Sequence, residues 1–157
     1  MQLTRFTDLG LRTLMLLSAG ESQEQRVTTR TIAKGANASE HHVAKAVSKL
    51  VEMGMVHARR GRVGGLELTA AGRTASIGRL VRELEGDRDV IECGGGRLQA
   101  APCPLIAACR LRRVLADAKE AFYRELDRYT VTDLTGGHSL PIVLQLTAAQ
   151  PATERNP

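Results

Sequence analysis

Residues 28–69 carry two short helical segments, a three-residue turn and a hairpin pattern, and no other stretch of this 157-residue chain restricts its fold as narrowly. Thr28 and Thr29 can cap a first helix that carries Ile32 and Ala33 and stops at Gly35. Ala36-Asn37-Ala38 forms the turn, where Asn37 tolerates a left-handed backbone. Ser39 is a natural N-cap for a second helix with the apolar stripe Val43, Ala46, Val47, Leu50 and Val51, closing near Gly54. Residues 55–59 then read as a strand, 60–65 as a basic glycine-rich loop, and 66–69 as a returning strand.

A helix-turn-helix followed at once by a hairpin is a winged helix, and its surface residues suit double-stranded DNA. The second helix presents Ser39, Glu40, His41, His42, Lys45 and Ser48, and Thr28 opens the first. The wing offers Arg59, Arg60 and Arg62, with Gly64 among glycines that let a backbone approach closely. Narrow grooves favour arginine on such a slim element. The charge distribution agrees. Residues 1–80 hold twelve Lys and Arg against six Asp and Glu, whereas 81–157 hold ten against eleven, so the net +5 is concentrated in the first half. The 3% aromatic content and absence of Trp argue against a stacking platform for single strands.

Around this unit the expected fold is mainly helical, with the wing as its only hairpin. Residues 4–19 repeat apolar side chains at helical spacing, with Gly20 placed to end the helix, and 76–85 form another helix followed by Gly86. From about 105 to 129 runs the longest stripe: Leu111, Val114, Leu115, Ala118, Phe122, Leu126 and Tyr129. So small a chain has little core to offer that stripe, which points to the same helix of a second subunit and to a homodimer addressing two half-sites. The expected divisions are a DNA-binding domain over 1–80, a cysteine loop with dimerisation helix over 81–135, and a tail over 136–157 whose residues 140–146 alternate like a short strand. The N-terminus lacks a signal-peptide pattern and no apolar run matches a membrane span, so a cytoplasmic protein without membrane contact is expected.

The three cysteines follow the pattern Cys93-x9-Cys103-Pro104-x4-Cys109. An odd, clustered set points to metal, cluster or redox chemistry rather than a disulfide framework. Structural zinc prefers paired C-x2-C ligands, which are absent. A thiol switch needs two of the three, whereas an iron–sulfur cluster with three thiolates and one outside ligand uses them all. Candidates for that fourth ligand are Asp8, Glu85, Glu92, His138 and the pair His41 and His42, and spacing does not choose among them. Asp8 can equally pair with Arg12 across one helical turn. The chain shows no C-x2-C redox pair, nucleotide-binding glycine motif or nucleophile–base constellation, so an enzyme or electron carrier is the weaker reading.

Five segments carry a family resemblance: residues 1–12 (Met1-Gln2-Leu3-Thr4-Arg5-Phe6-Thr7-Asp8-Leu9-Gly10-Leu11-Arg12), the wing 60–66, Val81-Arg82-Glu83-Leu84-Glu85, Ala108-Cys109-Arg110-Leu111, and Tyr129-Thr130-Val131-Thr132-Asp133-Leu134. In these the chain resembles the winged-helix iron–sulfur transcriptional repressors, and among them the nitric-oxide-sensing subgroup. The resemblance implies a homodimer that represses nitric oxide detoxification genes while its cluster is intact. It implies a 4Fe-4S cluster on Cys93, Cys103 and Cys109, with Asp8 of the partner subunit as fourth ligand and Glu85 and Arg12 as supporting polar groups. Two departures stand out. More residues separate Cys93 from Cys103 than is usual in the family. In addition, Arg110-Leu111-Arg112-Arg113 occupies the stretch where a related regulator carries the histidine of its 2Fe-2S cluster, which disfavours that arrangement; a 2Fe-2S cluster, with iron or redox sensing, is the alternative reading.

Overall fold

The computed structural model describes residues 2–21, 26–59, 61, 64–86, 89–91, 93 and 103–135. In chain order its elements are α1 (Arg5–Glu21), α2 (Thr29–Gly35), α3 (Glu40–Glu52), β1 (Val56–Ala58), β2 (Leu66–Leu68), α4 (Ala70–Thr74), α5 (Ile77–Glu85) and α6 (Arg110–Leu126). Helix α1 forms the spine. Its buried Leu9, Leu14, Leu16 and Leu17 pack with Ile32 of α2, Val43 and Leu50 of α3, and Leu80, Val81 and Leu84 of α5. Small aliphatics fill this core, as the scarcity of aromatic residues requires.

Each turn of the helix-turn-helix has a local cause. Thr28 caps α2 in a capping box with Thr31, Asn37 adopts φ 48 in the turn, and Ser39 caps α3. Strands β1 and β2 pair antiparallel, with His57 opposite Glu67. The Leu66 N–H donates to the Val27 carbonyl at 2.9 Å, so the residue before α2 extends the wing's hydrogen bonding. At the far end of α1, Glu21 accepts from the Leu68 N–H at 3.2 Å and from both Nε and Nη2 of Arg73 at 3.0 and 2.9 Å. One carboxylate therefore fastens the wing and α4 to the spine.

Four local expectations are amended. Helix α1 runs one residue past Gly20, which is buried within it rather than ending it. Helix α4 joins wing to α5 with Thr69 as its N-cap, in a segment too short to show periodicity. Helix α6 begins at Arg110, because 104–108 form turns, so the helix starts later than the periodic segment suggests, with Leu111 still the first residue of its stripe. Lastly, the buried aromatic of α6 is Tyr123, whereas Tyr129 is exposed. The alternating segment 140–146 lies outside the described residues.

Tyr123 is buried because α5 and α6 approach closely. A Cβ at Gly78 would stand 2.3 Å from the Tyr123 carbonyl oxygen, so only glycine allows this crossing. Arg82 secures it with ion pairs to Glu120 (2.8 Å) and Asp127 (2.7 Å), its guanidinium 4.9 Å from the Tyr123 ring centre. Ser76 also donates to Asp127 at 2.5 Å, and the Ile77 N–H donates to the Tyr129 carbonyl at 2.9 Å.

Candidate nucleic-acid interface and cysteine site

On α3 the residues expected to meet DNA form its outward surface: Glu40, His41, His42, Lys45 and Ser48 are all exposed. Their capacities differ. The Ser39 hydroxyl accepts from the His42 N–H at 3.3 Å and lies 2.7 Å from His42 Nδ1, which leaves Nε2 of that ring facing outward chemistry. Glu40 pairs with Arg30 of α2 at 3.2 Å, which offsets its negative charge on the face that also carries Lys45. The Ser48 hydroxyl donates back to the Ala44 carbonyl at 2.9 Å and so retains its lone pairs for accepting. Thr28 is half-buried, and its hydroxyl and N–H are engaged with Thr31 in the cap.

Arg59 lies 3.4 Å from Glu67 across the wing, and Gly64 is buried where its carbonyl accepts from Arg26 Nε at 2.5 Å. Arg26 escaped the sequence reading. Its one signal is position, directly before the Val27 that bonds the wing. Arg60 and Arg62 lie outside the described residues. Arg5 has no role assigned by its sequence context, yet its Nη2 donates to the Asn37 carbonyl at 3.3 Å, tying the start of α1 to the turn between α2 and α3.

The cysteines are gathered at the entry to α6. Cys93 is buried, Cys103 and Cys109 are half-buried, and the Cys103 N–H donates to the Cys93 carbonyl at 2.9 Å. Turns with Ile106 N–H to Cys103 O (3.1 Å) and Ala108 N–H to Leu105 O (3.1 Å) lead to Cys109, the N-cap residue of α6. Burial pushes the Cys93 thiol up, and the neighbouring Cys103 and Cys109 add to that effect, so the three sulfurs share one electrostatic neighbourhood. Arg112 opposes it, and Arg112 itself pairs with Asp89 at 3.1 Å. Among the described residues no group of three or more His, Cys, Asp or Glu is close enough together to hold a single metal ion. The donor chemistry nevertheless fits an iron–sulfur cluster, which takes mainly thiolates spread over several irons.

Asp8 and Arg12 form an ion pair at 2.7 Å on the exposed side of α1. Glu85 has a different partner from the one expected of a group beside the sulfurs: its Oε1 accepts from the Thr4 N–H at 2.7 Å and the Thr4 hydroxyl at 3.0 Å. The last turn of α5, from which the chain runs on to Cys93, is thereby fastened to the start of α1. Thr4 was absent from the sequence candidates, since a cap donated from 81 residues away leaves no local pattern. Glu92 and His138 lie outside the described residues.

This arrangement has known counterparts. Residues 3–137 match the Rrf2 family, described as iron-dependent transcriptional regulators. The chain belongs to that family. The Rrf2 chain is 50% identical over 147 residues to the HTH-type transcriptional repressor NsrR of Streptomyces coelicolor, covering 94% of this chain and 97% of that one. It is 40% identical over 134 residues to the HTH-type transcriptional regulator NsrR of Geobacillus kaustophilus, covering 85% and 89%. The solved structure of CymR, the global cysteine regulator of B. subtilis, superposes with a TM-score of 0.62 at 25% identity, covering 86% of this chain and 96% of that one. T. potens IscR shares the fold with a TM-score of 0.62 at 22% identity, covering 85% of each chain. This Rrf2 protein is a winged-helix DNA-binding transcriptional repressor by kind and not an enzyme. None of its described helices is long and apolar enough to cross a membrane.

Proposed function

We propose that this Rrf2 protein is a homodimeric repressor whose iron–sulfur cluster holds it in the DNA-binding form and whose loss to nitric oxide releases the operator. The observation that carries the reading is the shared neighbourhood of Cys93, Cys103 and Cys109 at the head of α6, in a chain half identical to an NsrR repressor. Cys93, Cys103 and Cys109 would hold a 4Fe-4S cluster, with Asp8 of the partner subunit completing the set. Such a cluster would supply irons able to combine with nitric oxide.

Everything else falls to the protein. Asp8 would turn from Arg12 toward the partner's thiolates, with Arg12 remaining within one helical turn of it. Glu85, gripping Thr4, makes the start of α1 move with the segment that leads to Cys93. Helix α1 then transmits that displacement along its length to Glu21, which grips β2 and Arg73. The wing arginines and the outward residues of α3 would in this way be set by the state of the thiolates. Dimerisation is supported by Leu111 and Val114, which are 58% and 61% exposed on α6 and need a second apolar surface. Residues 1–80 would act as the DNA-binding unit, 81–135 as the cluster and dimerisation unit, and 136–157 as a tail.

Anaerobic spectroscopy of the cluster-loaded protein, titrated with nitric oxide beside Asp8→Ala, tests the reading. The wild-type protein should be brown and lose DNA affinity as nitric oxide is added, and Asp8→Ala should load a weaker or altered cluster. A colourless protein that keeps full DNA affinity after anaerobic reconstitution would overturn it. Release by peroxide or a chelator, with no response to nitric oxide, would instead select the iron- or redox-sensing form of the same repressor.

A further inference from the structure

The hydrogen bond from the Cys103 N–H to the Cys93 carbonyl, at 2.9 Å, constrains more than the backbone. Standard bond lengths on either side of it limit the two Cα atoms to about 6.8 Å apart, and ordinary hydrogen-bond bending brings them to about 5–6 Å. Disulfides occupy that range of Cα separations. No backbone hydrogen bond among the described residues joins Cys109 to either of the others, and the turns of 104–108 stand between it and Cys103. The exposures differ too. Cys93 is buried at 4% exposure, whereas Cys103 is half-buried and open to a small solute.

We propose that the cluster-free chain is a site of disulfide formation between Cys93 and Cys103, with Cys103 meeting the oxidant and Cys109 left as a free thiol. With a hydroperoxide as oxidant, the Cys103 thiolate attacks one peroxide oxygen, forming an S–O bond while the O–O bond breaks and the departing oxygen leaves as water or alcohol. The Cys93 sulfur then attacks Cys103, forming the S–S bond as the S–O bond breaks. The leaving hydroxide takes up the Cys93 proton and departs as water. Two thiols are oxidised by two electrons and one peroxide is reduced. Burial protects Cys93 from direct oxidation, and its closeness to Cys103 makes it the resolving thiol. The bridge would remove two of three thiolates, so a chain that had lost its cluster would not reload until a dithiol reopened it. That consequence rests on the cluster reading, but the bridge does not.

Peptide mapping by mass spectrometry, on full-length apoprotein treated with stoichiometric hydrogen peroxide and then alkylated, tests the proposal. The expected product is a single cross-linked species joining the Cys93 and Cys103 peptides, lighter by two hydrogens, with Cys109 alkylated. Cys109→Ser should leave that product unchanged. Cys103→Ser should leave Cys93 reduced, and Cys93→Ser should let a sulfenic-acid trap label Cys103. A Cys103–Cys109 link, a bridge between two chains, or Cys103 passing to sulfinic acid while Cys93 stays alkylatable would each overturn it. Iron and sulfide uptake by the oxidised chain, before and after dithiothreitol, reads the consequence separately. If the bridge maps as stated but the reduced chain takes up no cluster, the cluster reading fails and the disulfide stands.

Discussion

Replacing Gly78 with alanine sets two opposed effects against each other, and the packing of α5 on α6 decides the sign. Gly78 is the second residue of α5, and alanine there gains about 0.5–1 kcal/mol in a helix free of contacts. The added Cβ, however, would lie 2.3 Å from the Tyr123 carbonyl oxygen and 2.4 Å from Asp127 Oδ1. A backbone carbonyl within α6 cannot turn aside as a side-chain tip can, so α6 must withdraw by about 1 Å. Overpacking of this kind costs about 1–3 kcal/mol. The withdrawal also stretches the Arg82 pairs with Glu120 and Asp127, which are partly exposed and add less than about 1 kcal/mol each. The net destabilisation is about 1–2 kcal/mol, a fall in Tm of about 2–8 °C for a chain of this size. Gly10→Ala is the internal control, because its new Cβ would meet only the flexible tip of Leu84 at 2.9 Å. Thermal denaturation followed by circular dichroism should therefore show a clear loss for Gly78→Ala and little change for Gly10→Ala. A Gly78→Ala protein melting at or above the wild-type temperature would refute the close crossing of α5 and α6.

Two further outcomes follow from the same structure. Ser39→Ala removes the hydroxyl that accepts from the His42 N–H, and loss of such a cap should lower stability by about 1 kcal/mol, a change that Ser39→Asp should restore in thermal melts. Asp127 should shape the acid limb of stability. The Ser76 hydroxyl and then the Arg82 guanidinium hold its carboxyl below the usual range, so the unfolded chain binds its proton more readily than the folded one. That contribution is present above the ordinary carboxylate range and is lost as pH falls through the depressed folded value. Urea melts between neutral and acid pH should show Asp127→Asn least stable relative to wild type near neutrality, with the gap closing on acidification. A gap that stays constant with pH would show that Asp127 does not titrate against Ser76 and Arg82.

The helix-turn-helix and wing were legible in the chain because each depends on near neighbours. Thr28, Ser39 and Asn37 act within three residues of themselves, and the Val43-Ala46-Val47-Leu50 stripe repeats at the helical period. The cysteines cluster in the sequence as well, and Leu111 and Val114 of the long apolar stripe are exposed on α6. Tyr123 rather than Tyr129 being buried was not legible, since the stripe runs through Phe122, Leu126 and Tyr129 and passes Tyr123 by, whereas the Gly78 crossing brings α5 against Tyr123.

Sequence alone therefore determined the helix-turn-helix and wing, the cationic first half and the clustering of three thiols, all of which are properties of local spacing and composition. Tertiary structure decided the long-range partners. Glu85 serves as the cap of Thr4 across the fold, Glu21 fastens β2 and Arg73, and Cys103 is hydrogen-bonded to Cys93 rather than linked first to the nearer Cys109. A single hydrogen bond between residues far apart in the chain depends on how helices cross, and helix crossings follow from packing volumes that no local pattern encodes.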